Sequence, residues 1–177
     1  MTKKSKTHIY CFDDHKALVT TGIMENVRKR FADSSRYTVF SFSNKDEFIN
    51  SLMDAKDHGC CKVAILGVRE TKEQMELIDY LSTQIIKLNP ETGLILLVPG
   101  DKMDEIKKAF RFNIDNYVPQ NDNAVLRIHN IVKKLISEHG LAIFKKRRNF
   151  SLYILLIFFL LSLILVLLAH LKLPDYF

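Results

Sequence analysis

The chain has 177 residues, of which 47% are hydrophobic and 26% charged, with a formal net charge of +6. Four of the positive charges belong to one run, Lys145–Arg148, and residues 1–144 carry a net charge of only +2. A nearly neutral domain has no broad basic face, so composition does not favour a nucleic-acid-binding protein. The three cysteines have neither the number nor the spacing of a zinc site or a disulfide framework.

The first 140 residues alternate between short apolar runs and longer segments with helical spacing. The runs of strand length are His8–Phe12, Tyr37–Phe42, Lys62–Val68, Gly93–Val98 and Asn116–Val118. Helical spacing follows each run and is predicted to end near Asp33, Gly59, Asn89, Phe112 and Gly140. Strands alternating with helices predict an α/β fold, a doubly wound five-stranded parallel sheet with helices on both faces.

The chemistry of such a sheet lies at the carboxyl ends of its strands. The residues at those ends include Asp13 and Asp14 after the first strand, Gly67 at the third, Pro99 at the fourth and Gln120 at the fifth. A glycine-rich phosphate loop is missing after the first strand, which continues as FDDHKALV. Acidic residues stand where phosphates need backbone amides, so the sequence does not predict a dinucleotide-binding protein.

The segment FDDHKALVTTGI resembles the start of response regulator receiver domains of the NarL/LuxR class, and the resemblance covers about residues 7–140. It implies a flavodoxin-like (CheY-like) sheet with strand order 2-1-3-4-5. It also implies that Asp13 and Asp14 match the acidic pair that holds Mg²⁺ in that family. Tyr117 matches the aromatic switch residue.

The same resemblance identifies three changed positions. Gly67 stands at the phosphoacceptor aspartate, Val98 or Pro99 at the hydroxyl residue, and Gln120 at the conserved lysine, followed by Asn121 in place of proline. Phosphoryl transfer depends on positioning and on charge stabilisation of the transferred oxygens, which these residues no longer supply. The sequence therefore predicts a degenerate pseudo-receiver without catalytic residues, and not an enzyme.

The acidic pair has two interpretations. Asp13 and Asp14 without a third carboxylate predict at most a weak, vestigial Mg²⁺ site, because this cation prefers six oxygen ligands. Alternatively, their side-chain oxygens cap the first helix by accepting its free amides. The cofactor prediction is therefore none, apart from this weak Mg²⁺ site.

The C-terminal part predicts a membrane anchor. Residues 150–171 contain no Asp, Glu, Lys or Arg, and about twenty helical residues suffice to cross a bilayer. The predicted organisation is a receiver-like domain (1–140), a basic juxtamembrane linker (141–149), a transmembrane helix (150–171) and a short tail (172–177).

The basic run predicts the orientation of this anchor. Lys145, Lys146, Arg147 and Arg148 directly precede the apolar segment, and such residues tend to stay on the cytoplasmic side. We expect a single-pass protein of the inner (cytoplasmic) membrane, with the N-terminal domain in the cytoplasm and the C-terminus on the opposite side. The run is also expected to contact anionic lipid headgroups.

Three functional hypotheses remain. The favoured one is a membrane-anchored, phosphorylation-independent pseudo-receiver that acts as a protein-interaction scaffold. The second is an atypical phosphoacceptor that uses Asp13 or Asp14 with Mg²⁺, and the third is a membrane-tethered transcriptional regulator. The resemblance implies protein partners, or a second copy, at the face formed by the fourth helix, fifth strand and fifth helix, where Lys108, Arg111 and Arg127 are candidates. An ordinary solvated surface explains these charges equally well.

Overall fold

The computed structural model describes residues 6–13, 18–32, 36–54, 60–68, 72–109 and 116–172. The strands in these ranges are β1 (Thr7–Phe12), β2 (Tyr37–Phe42), β3 (Cys61–Gly67), β4 (Gly93–Val98) and β5 (Asn116–Pro119). They form one parallel sheet in the order β2-β1-β3-β4-β5. The predicted fold class and strand order are confirmed, β2 and β4 residue for residue, while β3 lies one residue earlier than predicted.

The helices are α1 (Leu18–Ala32), α2 (Lys45–Asp54), α3 (Lys72–Leu88), α4 (Met103–Ala109) and α5 (Ala124–Lys172). A short 3-10 helix, Gly100–Lys102, precedes α4. The ends of α1 and α3 agree with the sequence prediction. Asp33, Gly59 and Phe112, predicted near the ends of three helices, lie outside the described residues.

Alternation along the strands divides the core between the two faces of the sheet. In β1, Tyr10 and Phe12 belong to a cluster with residues of α2, α3 and α4, whereas Ile9 and Cys11 belong to a cluster with α1 and α5. Successive side chains of a strand point to opposite faces, so each face needs its own covering helices. Both faces of β3 and β4 are covered, and every residue of these two strands is buried.

The fifth helix differs from its prediction. It does not end at Gly140 but continues without interruption to Lys172. A side chain at Gly140 would meet no other atom within 4 Å, so neither a close contact nor a turn requires glycine there. The residues that follow are mostly good helix formers, and one glycine costs a helix only about 1 kcal/mol.

The chain divides into two compact units, Met1–Ser137 and Glu138–Phe177. The first contains the sheet and its helices. The second contains the later part of α5, where the described large apolar side chains from Phe150 to Leu168 are all exposed. Among the described residues, α5 is the one helix that is long and apolar enough to cross a membrane. It is a candidate membrane span.

Candidate functional site

The strand register gathers the predicted site residues at the carboxyl edge of the sheet. Phe12 of β1 is the register partner of Leu66 of β3, so the same register places Asp13, one residue beyond β1, beside Gly67. Gly67 in turn is the register partner of Leu97 of β4. The backbone amide of Asp13 donates to the carbonyl oxygen of Phe42 at 3.1 Å, which extends the β1–β2 ladder past the end of the strand. The register therefore brings the predicted positions at Asp13 and Gly67 to neighbouring strand ends.

Gln120 fixes this edge by three hydrogen bonds. Its side-chain Nε2 donates to the carbonyl oxygens of Val68 at 3.1 Å and Leu97 at 3.2 Å. Its backbone amide donates to the carbonyl oxygen of Val98 at 2.8 Å. One side-chain amide thus joins the ends of β3 and β4. The sequence placed Gln120 at the lysine position, but the partners of its amide come from the structure.

The acceptor and hydroxyl positions offer no nucleophile. Gly67 is the last residue of β3 and is buried, and Val98 has no exposed surface. Pro99 follows as a partly exposed residue without a hydroxyl group. At these positions the edge consists of backbone and aliphatic atoms.

The donor set for a magnesium ion is small. Asp13 is partly exposed, and Asp14 lies outside the described residues. Among the residues that the structure describes, no group of three or more His, Cys, Asp or Glu side chains could hold a metal ion. Mg²⁺ prefers six oxygen ligands and Gly67 supplies no carboxylate, so the weak Mg²⁺ site stays a prediction.

Tyr117, predicted to match the aromatic switch residue, lies on β5. Its ring is partly buried against the core cluster that includes α4, and the Nζ atom of Lys107 lies 5.9 Å from the ring centroid. This distance is within the range of a cation–π contact. Burial raises the pKa of the Tyr117 hydroxyl. The contact links α4 to the edge strand β5.

The charged residues predicted to form an interaction face are solvent-accessible where they are described. Lys108 on α4 and Arg127 on α5 are exposed, while Arg111 lies outside the described residues. In the C-terminal unit, Lys145, Lys146, Arg147 and Arg148 are all exposed and lie on consecutive positions of α5.

The cysteines have the environment of core residues. Cys11 and Cys61 are buried and free. Burial raises the pKa of the Cys11 thiol to about 12 and that of Cys61 to about 11. Since the thiolate is the reactive form, neither thiol is activated for chemistry in the folded domain.

A cleft that the sequence did not indicate lies beside β1 and β2. It has a volume of about 340 Å³, and its described lining residues come from the ends of these two strands and from α1: Cys11, Asp13, Met24, Glu25, Arg28, Ser41, Phe42 and Ser43. Sequence patterns give no signal for it, because its lining is assembled from three elements and most of its polar members are ordinary surface residue types.

Comparison with known proteins supports the fold. No family model and no curated protein matches the chain. Among solved structures, a response regulator receiver domain protein from Clostridium thermocellum superposes with a TM-score of 0.57 at 16% identity, over 77% of this chain and 98% of that chain. The BeF3-activated DrrB receiver domain gives 0.52 at 22% identity, over 75% and 98%.

A third similar structure is described as an adenylate cyclase from Rhodopirellula baltica. Its TM-score is 0.60 at 10% identity, over 80% of this chain and 96% of that chain. The strand order, the register and these similarities agree: residues 6–137, where described, have the fold of a CheY-like response regulator receiver domain.

Proposed function

We propose that this protein is a membrane-anchored, phosphorylation-independent pseudo-receiver that acts as an interaction scaffold at the cytoplasmic face of the membrane. The observation that carries this proposal is the bonding of Gln120. In a working receiver the residue at this position is a lysine that interacts with the transferred phosphoryl group. Here it is an amide held by two backbone carbonyl oxygens.

The missing acceptor supports the same conclusion. Gly67 has no side chain to phosphorylate, and the amide of Gln120 carries no charge to offset a phosphoryl dianion. Phosphoryl transfer rests on positioning and charge stabilisation, and the positions of Gly67 and Gln120 supply neither the nucleophile nor the cation. A receiver that cannot be phosphorylated can still present a constant surface to a partner.

The C-terminal unit supports the membrane part of the proposal. Its apolar helix follows four consecutive basic residues directly, and basic flanks favour the cytoplasmic side. The scaffold would then collect its partner, or a second copy of itself, in the plane of the membrane. Lys108, Arg111 and Arg127 are the candidate contact residues for that association.

Intact-mass measurement tests the chemistry. The full-length protein in detergent is incubated with acetyl phosphate and Mg²⁺, with a working receiver as the positive control for the reagent. We expect no gain of a phosphoryl group. A gain that disappears in Asp13→Ala or Asp14→Ala would contradict the proposal and favour the atypical phosphoacceptor.

Three further measurements test the orientation, the contact face and the alternative of a tethered regulator. Protease added to intact spheroplasts should leave the N-terminal unit uncut. Cleavage of this unit without lysis would show that the orientation is the opposite of the one proposed. Reversing the charges of Lys108, Arg111 and Arg127 together should weaken cross-linking between copies or to a partner. Unchanged cross-linking would place the interaction surface elsewhere.

A DNA-binding assay at increasing salt concentration tests the third hypothesis. Salt-sensitive binding of DNA by the basic run would favour the membrane-tethered transcriptional regulator.

A further inference from the structure

We propose that the cleft beside β1 and β2 binds a small zwitterion of the amino-acid class, one that carries an ammonium group, a carboxylate and a short aliphatic side chain. This site is separate from the strand ends that Gln120 joins, and the inference does not depend on the proposed function.

The size of the cleft limits the ligand. A volume of about 340 Å³ lies at the small end of the range of ligand pockets, roughly 300–1,000 Å³. A nucleotide or another extended cofactor would leave much of its surface outside such a cleft. A molecule with the dimensions of a free amino acid fits.

The floor of the cleft is apolar. Cys11 and Met24, which form it, are 3% and 7% exposed. The side chain of Phe42 packs on the other face of the sheet, so this residue borders the cleft through its backbone. Cys11 is the register partner of Ser41, so the two strands present a thiol and a hydroxyl side by side at the inner end. A ligand with an aliphatic side chain would gain free energy by burying that side chain against this floor. A ligand with two charged groups and no aliphatic side chain would not.

The rim of the cleft carries both signs of charge. Arg28 and Glu25 lie one turn apart on α1. The salt bridge from Lys29, whose Nζ lies 3.0 Å from Oε1 of Glu25, is the main cause that lowers the pKa of Glu25, and the charge of Arg28 is a smaller one. Asp13 lines the same cleft from the end of β1. A purely anionic ligand would meet two carboxylates, and a purely cationic one would meet the guanidinium group.

A ligand with both charges matches this rim. The guanidinium of Arg28 with the hydroxyls of Ser41 and Ser43 can donate to a carboxylate, as arginine and serine commonly do. The carboxylates of Asp13 and Glu25 can accept from an ammonium group. The hydrogen bond from the backbone amide of Asp13 to the carbonyl oxygen of Phe42 fixes the end of β1, which carries the Asp13 carboxylate.

Equilibrium dialysis with radiolabelled L-leucine tests the proposal on the full-length protein in nanodiscs. Isopentylamine lacks the carboxylate and 4-methylpentanoate lacks the ammonium group, so both serve as competitors of matched shape. We expect saturable binding of L-leucine and competition by each analogue at least about tenfold weaker, the effect of losing one charge-assisted hydrogen bond.

Variants of exposed helix residues keep the test independent of folding. Arg28→Gln should weaken L-leucine binding about tenfold or more, while Arg30→Gln, the matched change at an exposed position of α1 that does not line the cleft, should leave it unchanged. Absence of saturable binding, equal binding by either analogue, or an Arg28→Gln variant that binds as well as the unmodified protein would overturn the proposal.

Discussion

Two regions of this protein are rich in apolar residues but differ in what surrounds them. Strands β3 and β4 are buried at every residue, because helices cover both faces of the sheet. The apolar part of α5 has the opposite environment, with exposures of its large side chains that range from 48% at Leu163 to 73% at Phe158. Composition alone does not separate these two regions; the covering elements do.

This contrast concerns the cost of exposing the apolar part of α5 to water. Soluble monomers rarely expose contiguous apolar patches beyond a few hundred square ångströms, because each square ångström in water costs about 25 cal/mol. The apolar part of α5 exposes side chains around its whole circumference in the C-terminal unit. The hydrocarbon chains of a bilayer would remove this cost on all sides, which is consistent with a candidate membrane span.

The largest expected effect comes from removing core packing in the buried region. Leu96→Ala should destabilise the N-terminal unit by about 2–5 kcal/mol, because Leu96 is fully buried and the change leaves a cavity. Urea unfolding followed by labelling of the buried Cys11 thiol measures this loss. Leu160→Ala, the same change in the apolar helix, should leave that unfolding free energy unchanged. Equal destabilisation by both variants would contradict the inference that Leu96 is packed in the core of the N-terminal unit and Leu160 is not.

Placing a charge in the apolar helix is the next test. Leu160→Arg should cost about 2.5–3.5 kcal/mol of membrane insertion, because the guanidinium group enters hydrocarbon. Leu126→Arg is a matched control, since both leucines are 49% exposed on α5 but Leu126 belongs to the N-terminal unit. Alkaline extraction of membranes should release a larger share of the first variant than of the second, because the surrounding apolar side chains still favour insertion. Equal retention of both would contradict the placement of Leu160 in hydrocarbon.

At the carboxyl edge, Gln120→Ala removes two hydrogen bonds that join β3 to β4. We expect a loss of about 1–3 kcal/mol, since each bond contributes roughly 0.5–1.5 kcal/mol and the carbonyl oxygens of Val68 and Leu97 lose a donor. The Cys11 labelling assay measures it. Gln84→Ala, on the partly buried surface of α3, is the control and should change stability little. If the two variants behave alike, Gln120 does not hold this edge together.

Much of the fold could be predicted from the sequence because hydrophobic patterns carry it. Apolar runs of strand length identified β2 and β4 to the residue. β4 is buried throughout, as a parallel strand covered on both faces is, whereas β2 is a partly exposed edge strand. Glycine gave a wrong boundary at Gly140, because a helix continues past a single glycine when the residues beyond it favour helix. The rule that glycine ends a helix failed at Gly140, because the helix-forming residues after it outweigh the cost of one glycine.

The site was predictable only in part. The position of Gln120 followed from the resemblance, but the bonds of its amide depend on where the carbonyl groups of two other strands lie. The cleft depends on α1 lying over β1 and β2, and Arg28, Ser41 and Ser43 are unremarkable residues in the sequence. Chemistry assembled from distant segments needs the register of the sheet, which a one-dimensional pattern does not contain.

The smallest expected effect concerns His129, where α5 still packs on the N-terminal unit. Its ring lies 5.5 Å from that of Phe31, and burial, with Lys133 and Arg30 as further causes, lowers its pKa below the ordinary value of 6.5. The unfolded chain therefore binds a proton at His129 before the folded chain does. Stability from this group is complete above about 6.5, falls as the pH drops through that value, and levels off below the folded pKa. His129→Gln should remove this component, so the stability difference between the two proteins should change with pH only in that window. A difference that is the same at every pH would mean that His129 titrates alike in both states, and that α5 has no pH-sensitive contact with the domain at this position.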